Sequence, residues 1–184
     1  MKENSLTRLK NIAAITMAAA VMAVCAWITV PYTVPFTMQT FGVFFALLLL
    51  GGKSGLLSVI IYILVGAAGA PVFSGFKSGI GTLIGPTGGY IFGFILIALI
   101  YLIFEKKADT AFRKAAVLIT GLLICYAFGT AQFVLLMKSG GSAPGIIQAL
   151  MMCVIPYIIP DIAKLSLALL IAPRVKKAVK LQNL

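Results

Sequence analysis

Apolar residues run in long blocks along this 184-residue chain, and short clusters of Gly, Pro and charge break the blocks apart. Read at helical period, the blocks predict helices at 11–30, 38–51, 55–70, 88–104, 115–137 and 146–172. A hydrocarbon core of about 30 Å takes roughly 20 residues to cross, so the second and third runs are expected to tilt or to be partly buried. The breaks are "VPYTVPFTMQT" after the first run, "GGKSG" after the second and "APVFSGFKSGIGTLIGPTGG" after the third; "EKKADTAFRK" follows the fourth and "KSGGSAPG" the fifth. No internal repeat of fixed period is present.

Composition turns this pattern into a membrane protein. The chain is 61% hydrophobic and 10% charged, and its mean hydropathy is +1.11, an excess that no soluble fold needs. The expectation is an all-α integral membrane protein of six transmembrane helices, one domain over 1–184 with no soluble domain. The basic N-terminal stretch before the first run imitates a signal peptide, but it is read as the start of an uncleaved span.

The formal charge of +11 raises the question of nucleic acid, and the placement of the charges answers it. Lys and Arg gather at the ends of apolar runs. With the N-terminus inside, the inner segments hold Lys2, Arg8, Lys10, Lys53, Lys106, Lys107, Arg113, Lys114, Arg174, Lys176, Lys177 and Lys180, the outer ones only Lys77 and Lys138. That bias predicts both termini cytoplasmic. The 71–88 segment then faces outward, and it is too long for a mere connector. It carries Val72, Phe73, Phe76, Ile80, Leu83 and Ile84, so it is expected to fold back onto the bundle.

Several chemistries are disfavoured. "GGKSG" lacks the first Gly of a phosphate-binding loop, Leu47 standing in its place, and no strand precedes it, so it reads as a tight turn. The chain has no histidine, which removes Ser/His dyads, HExxH zinc sites and His-ligated haem. Cys25, Cys125 and Cys153 lie in apolar runs without CxxC spacing and read as reduced packing residues. Three of the four acidic residues, Glu3, Glu105 and Asp109, fall in cytoplasmic segments, so Asp161 alone cannot form an aspartyl dyad.

Asp161 and Lys164 stand inside "VIPYIIPDIAKLSLALLIAP". A charge at mid-bilayer costs about 2.5–3.5 kcal/mol on insertion scales, so both must face inward. At i and i+3 they share a face with Tyr157 and Ala168. A self-satisfied structural pair is one reading; a ligand site is the other, since buried pairs stabilise poorly compared with apolar packing. Pro156 and Pro160 favour the second by leaving the carbonyls of Met152 and Pro156 without helical partners, as irregular backbone at membrane depth lines cavities. An anion and a cation side by side suit a polar, uncharged head group. A cyclic urea fits, with N–H groups for the carboxylate and a carbonyl for the ammonium, but many ligands satisfy the same pair. On the first run, Ala14 and Ala18, and Ala19 and Ala23, have small-xxx-small spacing, which suits either internal packing or the docking of another protein.

The order "PFTMQTFGV", "GAAGAPVFSGFKSGIGTLIGPTGGYIFGF", "PYIIPDIAK" resembles the biotin-specific substrate-capture (S) component of energy-coupling-factor (ECF) transporters, the BioY family, over nearly the whole chain. The resemblance implies a non-enzymatic six-helix protein of a prokaryotic cell membrane that captures biotin from outside. Uptake would be driven by a separate transmembrane coupling subunit and two ATPase subunits; biotin is the transported ligand, with no cofactor and no metal. It implies that Asp161 and Lys164 bind the ureido ring, that Gln39 and Thr40 line the pocket with Phe73 and Tyr157, and that Gly88, Gly89 and Tyr90 open the fourth helix against the ligand. Lys77, Ser74 and Ser78 are its candidates for the valerate carboxylate, a solvated charge being the other reading of Lys77. It also raises Ala14, Ala18, Ala19 and Ala23 as a docking face. A small proton- or cation-coupled secondary transporter of a polar solute is the alternative.

Overall fold

The computed structural model describes residues 2–32, 34–139 and 144–179, with side chains from Ser5 onward. Part of the 138–145 break, Lys180 and the side chain of Lys2 therefore lie outside the described residues. The helices are α1 (Lys2–Trp27), α2 (Gln39–Leu50), α3 (Gly52–Ala67), α4 (Ile80–Leu83), α5 (Gly88–Phe104), α6 (Ala111–Ser139), α7 (Ile146–Cys153) and α8 (Ile155–Ala178). Among the described residues, the only strands are β1 (Thr29–Val30) and β2 (Phe36–Thr37), paired antiparallel with Thr29 opposite Thr37.

Among the described residues, four stretches are long and apolar enough to cross a membrane: Ser5–Trp27, Gly88–Lys107, Ala111–Ser139 and Ile146–Ala178. The other two apolar helices, α2 with 12 residues and α3 with 16, are shorter. At about 1.5 Å per residue they reach about 18 and 24 Å, less than the hydrocarbon thickness. The two meet at Gly51, whose φ of +82° favours a residue without Cβ, so the expected turn shrinks to one residue. Glu105 anchors this turn by accepting from the Gly52 N–H at the start of α3. Far from the turn, the space left by the short helices is filled by the β1–β2 hairpin and the 71–85 loop. That is where the cavity forms.

Among the described residues, the α5–α6 pair makes the most extensive contact between helices. Gly93 packs on Cys125 and Gly121 on Ile97, where added Cβ atoms would overlap the partner; Gly121 Cβ would stand 2.9 Å from Ile97 Cα. Small residues let the two backbones approach, as membrane helices require.

Four expectations change. The sixth run is two helices, broken at Val154 (φ −126°, ψ −58°). Pro156 opens α8 at its first turn, where no helical N–H is needed, so it interrupts no ladder, while Pro160 lies inside the helix. The outer loop folds back only in part: Phe73 and Leu83 are buried, whereas Phe76, Ile80 and Ile84 are more than 60% exposed. A single turn of helix presents only one face to the bundle, and Leu83 occupies it. Lastly, Ala18, Ala19 and Ala23 are buried and Ala14 is half-buried, which makes them internal packing against α2 and α3 rather than an outer docking face.

Candidate functional site

A cavity of about 730 Å³, its mouth included, lies under the hairpin and the outer loop and reaches α2, α5, α6 and α8. Asp161 and Lys164 form its polar end. Periodicity puts both on the inward face of α8, where they are 2% and 6% exposed, alongside Tyr157 and Ala168.

Their hydrogen bonds can be counted. Lys164 Nζ donates to Asp161 Oδ1 at 2.7 Å, to the Thr37 carbonyl at 2.6 Å and to Thr40 Oγ1 at 3.3 Å, and it sits 4.2 Å from the Phe36 ring centroid. All three ammonium donors are engaged. On the carboxylate, Oδ1 also accepts from the Thr40 hydroxyl at 2.8 Å, and Oδ2 accepts from the Tyr126 hydroxyl at 2.5 Å. A carboxylate offers about four acceptor positions, so one on Oδ2 is left over. The pair is therefore electrically balanced and almost satisfied, which is what a buried pair needs to be tolerated.

Lys164 also ties down the roof. Its bond to the Thr37 carbonyl holds the end of β2. The Tyr157 hydroxyl donates to the Val34 carbonyl, and its ring stacks on Phe36 at 6.2 Å. The outer loop contributes Phe73, whose ring seats on Gly66 where no Cβ could fit, and Ser74, whose hydroxyl is 2.8 Å from that of Thr29. Trp27 Nε1 donates to the Pro71 carbonyl at 2.8 Å and its ring stacks on Phe76.

Of the expected site residues, the cavity wall brings together Asp161, Lys164, Gln39, Thr40, Phe73, Tyr90, Tyr157, Lys77 and Ser74. Gly88, Gly89 and Ser78 are not part of it. A Cβ on Gly88 would overlap the Leu83 carbonyl, and one on Gly89 would lie 2.9 Å from Gly129 Cα and Gln132 Cβ, so these glycines serve helix contact rather than close approach to a ligand. Ser78 turns its carbonyl to the Thr82 hydroxyl. Sequence reasoning missed Tyr126, Thr37, Thr87, Cys125 and Cys153, which also line the cavity. Tyr126 had a usable signal: a tyrosine in an apolar run needs a partner for its hydroxyl, and a lone buried carboxylate needs donors.

A family model described as the BioY family matches residues 1–181. A biotin transporter of Thermotoga maritima is 45% identical over 160 residues, 86% of this chain and 90% of the relative. One of Rhodobacter capsulatus is 30% identical over 173 residues, 89% and 91% of the two chains. In fold, the chain is similar to the crystal structure of an S-component for biotin from an ECF-type ABC transporter, with a TM-score of 0.81 over 96% of this chain and 95% of the other, at 22% identity.

Proposed function

The chain belongs to the BioY family, and on that footing we propose that it is a biotin-binding S component: a binding module, not an enzyme, that captures biotin at the outer face of a prokaryotic cell membrane. The observation that carries this reading is the balanced Asp161–Lys164 pair at the end of the roofed cavity, with one acceptor position of Asp161 Oδ2 unspent.

In this reading one ureido N–H donates to Asp161 Oδ2 and the other to Gln39 Oε1, which has a second lone pair beside its bond from the Thr37 hydroxyl. The ureido carbonyl accepts from Lys164 in place of Thr40 Oγ1, the longest of the ammonium's three contacts. The bicyclic ring and valerate chain lie along Phe73, Tyr90, Ile91 and Phe94. Lys77 and Ser74, on the loop side of the wall, receive the carboxylate, with the Thr82 and Thr87 side chains beside them.

The chain is one membrane domain of six spans with both termini cytoplasmic. Its two short helices, α2 and α3, count as spans completed by the hairpin and the outer loop, and the 71–88 segment closes over captured biotin. Inward release is driven by a separate transmembrane coupling subunit and two ATPase subunits. The test is the identity of the small molecule that co-purifies with the detergent-solubilised chain, read by mass spectrometry. Biotin supports the proposal; a different compound, or biotin that fails to rebind after removal, overturns it.

A further inference from the structure

We infer that Tyr62 couples occupancy of the cavity to the outer loop, through side-chain hydrogen bonds that begin at Gln39 and end on the loop backbone. This rests on the reading of the cavity as a biotin site. The Thr37 hydroxyl donates to Gln39 Oε1 at 2.9 Å, and Gln39 Nε2 donates to the Tyr62 hydroxyl at 2.7 Å. That hydroxyl in turn donates to the Val72 carbonyl at 3.0 Å. Thr37 and Gln39 line the cavity, whereas Tyr62 stands behind them, 2% exposed, on α3. Its ring meets Phe73 edge-on at 5.6 Å, and Phe73 is the fully buried residue that the loop sends into the cavity wall.

The direction of the coupling follows from proton counting. A phenol has one proton, and a glutamine amide has a donor end and an acceptor end. With Nε2 toward Tyr62, the phenol accepts from Gln39, and its own proton is left for Val72. With the amide turned over, the phenol would donate to Oε1, and the Val72 carbonyl would lose its partner. A ligand N–H on Gln39 Oε1 favours the first arrangement and so keeps the phenolic proton on the loop. A ligand that places an acceptor there favours the turned-over amide instead, and one with neither donor nor acceptor has no differential interaction with the two arrangements and shifts nothing. The other side chains that reach from outside the loop to its backbone carbonyls do not serve this purpose. Trp27 holds the Pro71 carbonyl, and Gln132 holds the carbonyls of Leu83 and Gly85 at 3.1 and 2.9 Å, but neither residue lines the cavity.

Tyr62→Phe keeps the ring and its contact with Phe73 and removes only the hydroxyl. The experiment measures biotin dissociation and hydrogen exchange over residues 72–84 in the full detergent-solubilised chain, with and without saturating biotin. In the wild type, biotin should slow exchange over 72–84. In the variant, dissociation should be about tenfold faster and most of that slowing lost. Wild-type protein that does not bind biotin overturns the site reading itself. Wild-type protein that binds biotin without slowing exchange over 72–84 overturns the coupling alone. So does a variant with unchanged dissociation and unchanged loop protection, even if it melts at lower temperature, because Tyr62 would then be only structural. Should Tyr62→Phe fail to fold, Gln39→Met breaks the same chain one link earlier. At saturating biotin, loss of loop protection in that variant supports the coupling and full protection overturns it.

Discussion

The Tyr126 hydroxyl on α6 donates a 2.5 Å hydrogen bond to Oδ2 of Asp161 on α8, across a seam where the two helices otherwise touch little. The bond uses one acceptor position of Oδ2 and leaves the other over. It also joins the α5–α6 half of the bundle to α8, which packs mainly on α2. A hydrogen bond to a charged group contributes about 1.5–3 kcal/mol. Tyr126→Phe should therefore weaken biotin binding about tenfold or more while the chain still folds. Isothermal titration in detergent checks this, and unchanged affinity would confine Tyr126 to packing.

In the proposed biotin site, Asp161→Asn and Lys164→Met each remove a ligand contact and leave the partner charge buried. Either should weaken biotin binding at least about tenfold. Lipoate, which shares the valerate tail and a sulfur ring but has no urea, should bind the wild type poorly. A purely structural pair makes the opposite forecast: a lowered melting temperature with affinity nearly intact in the folded fraction. Both quantities should be measured on the same preparations.

Gly66→Ala places a Cβ where three carbons of the Phe73 ring now lie. Overpacking of this kind costs about 1–3 kcal/mol, and the cheapest relief is to lift Phe73 and the loop off the cavity. Biotin affinity should fall, and limited proteolysis should cut the 72–84 segment faster even with biotin present. Cleavage as slow as in the wild type would show that the ring finds another seat.

The orientation is tested with single cysteines and an impermeant thiol reagent. Positions beside Lys77 or Lys138 should react from outside intact cells, and positions beside Lys107 or Lys177 should not. The native thiols Cys25, Cys125 and Cys153 are all buried, which keeps the background low. Reversed labelling would discard the outward-facing cavity.

Hydrophobicity and charge placement act residue by residue, and that is why they are legible without a fold. The apolar blocks locate α1, α2, α3, α5 and α6 to within a few residues at most ends, though α1 extends nine residues earlier than expected. Two opposite charges inside an apolar run mark Asp161 and Lys164 as inward-facing, because lipid tolerates neither alone. Family likeness, carried by short motifs, adds Gln39, Thr40, Phe73 and Tyr90. What the sequence could not express is pairing at a distance. Tyr126 meets Asp161 across 35 residues, Lys164 meets the Thr37 carbonyl across 127, and Tyr157 meets that of Val34 across 123. In one dimension each such tyrosine looks like core, and a backbone carbonyl carries no sequence mark at all. The same holds for Ala14, Ala18, Ala19 and Ala23 of α1, whose spacing permits close packing but does not name the partner; only the assembled bundle turns Ala18, Ala19 and Ala23 inward. Membrane residence and the charged pair follow from transfer free energies that each residue carries with it, whereas the satisfied state of that pair, and the roof built over it, depend on which distant backbone groups the short helices α2 and α3 leave within reach.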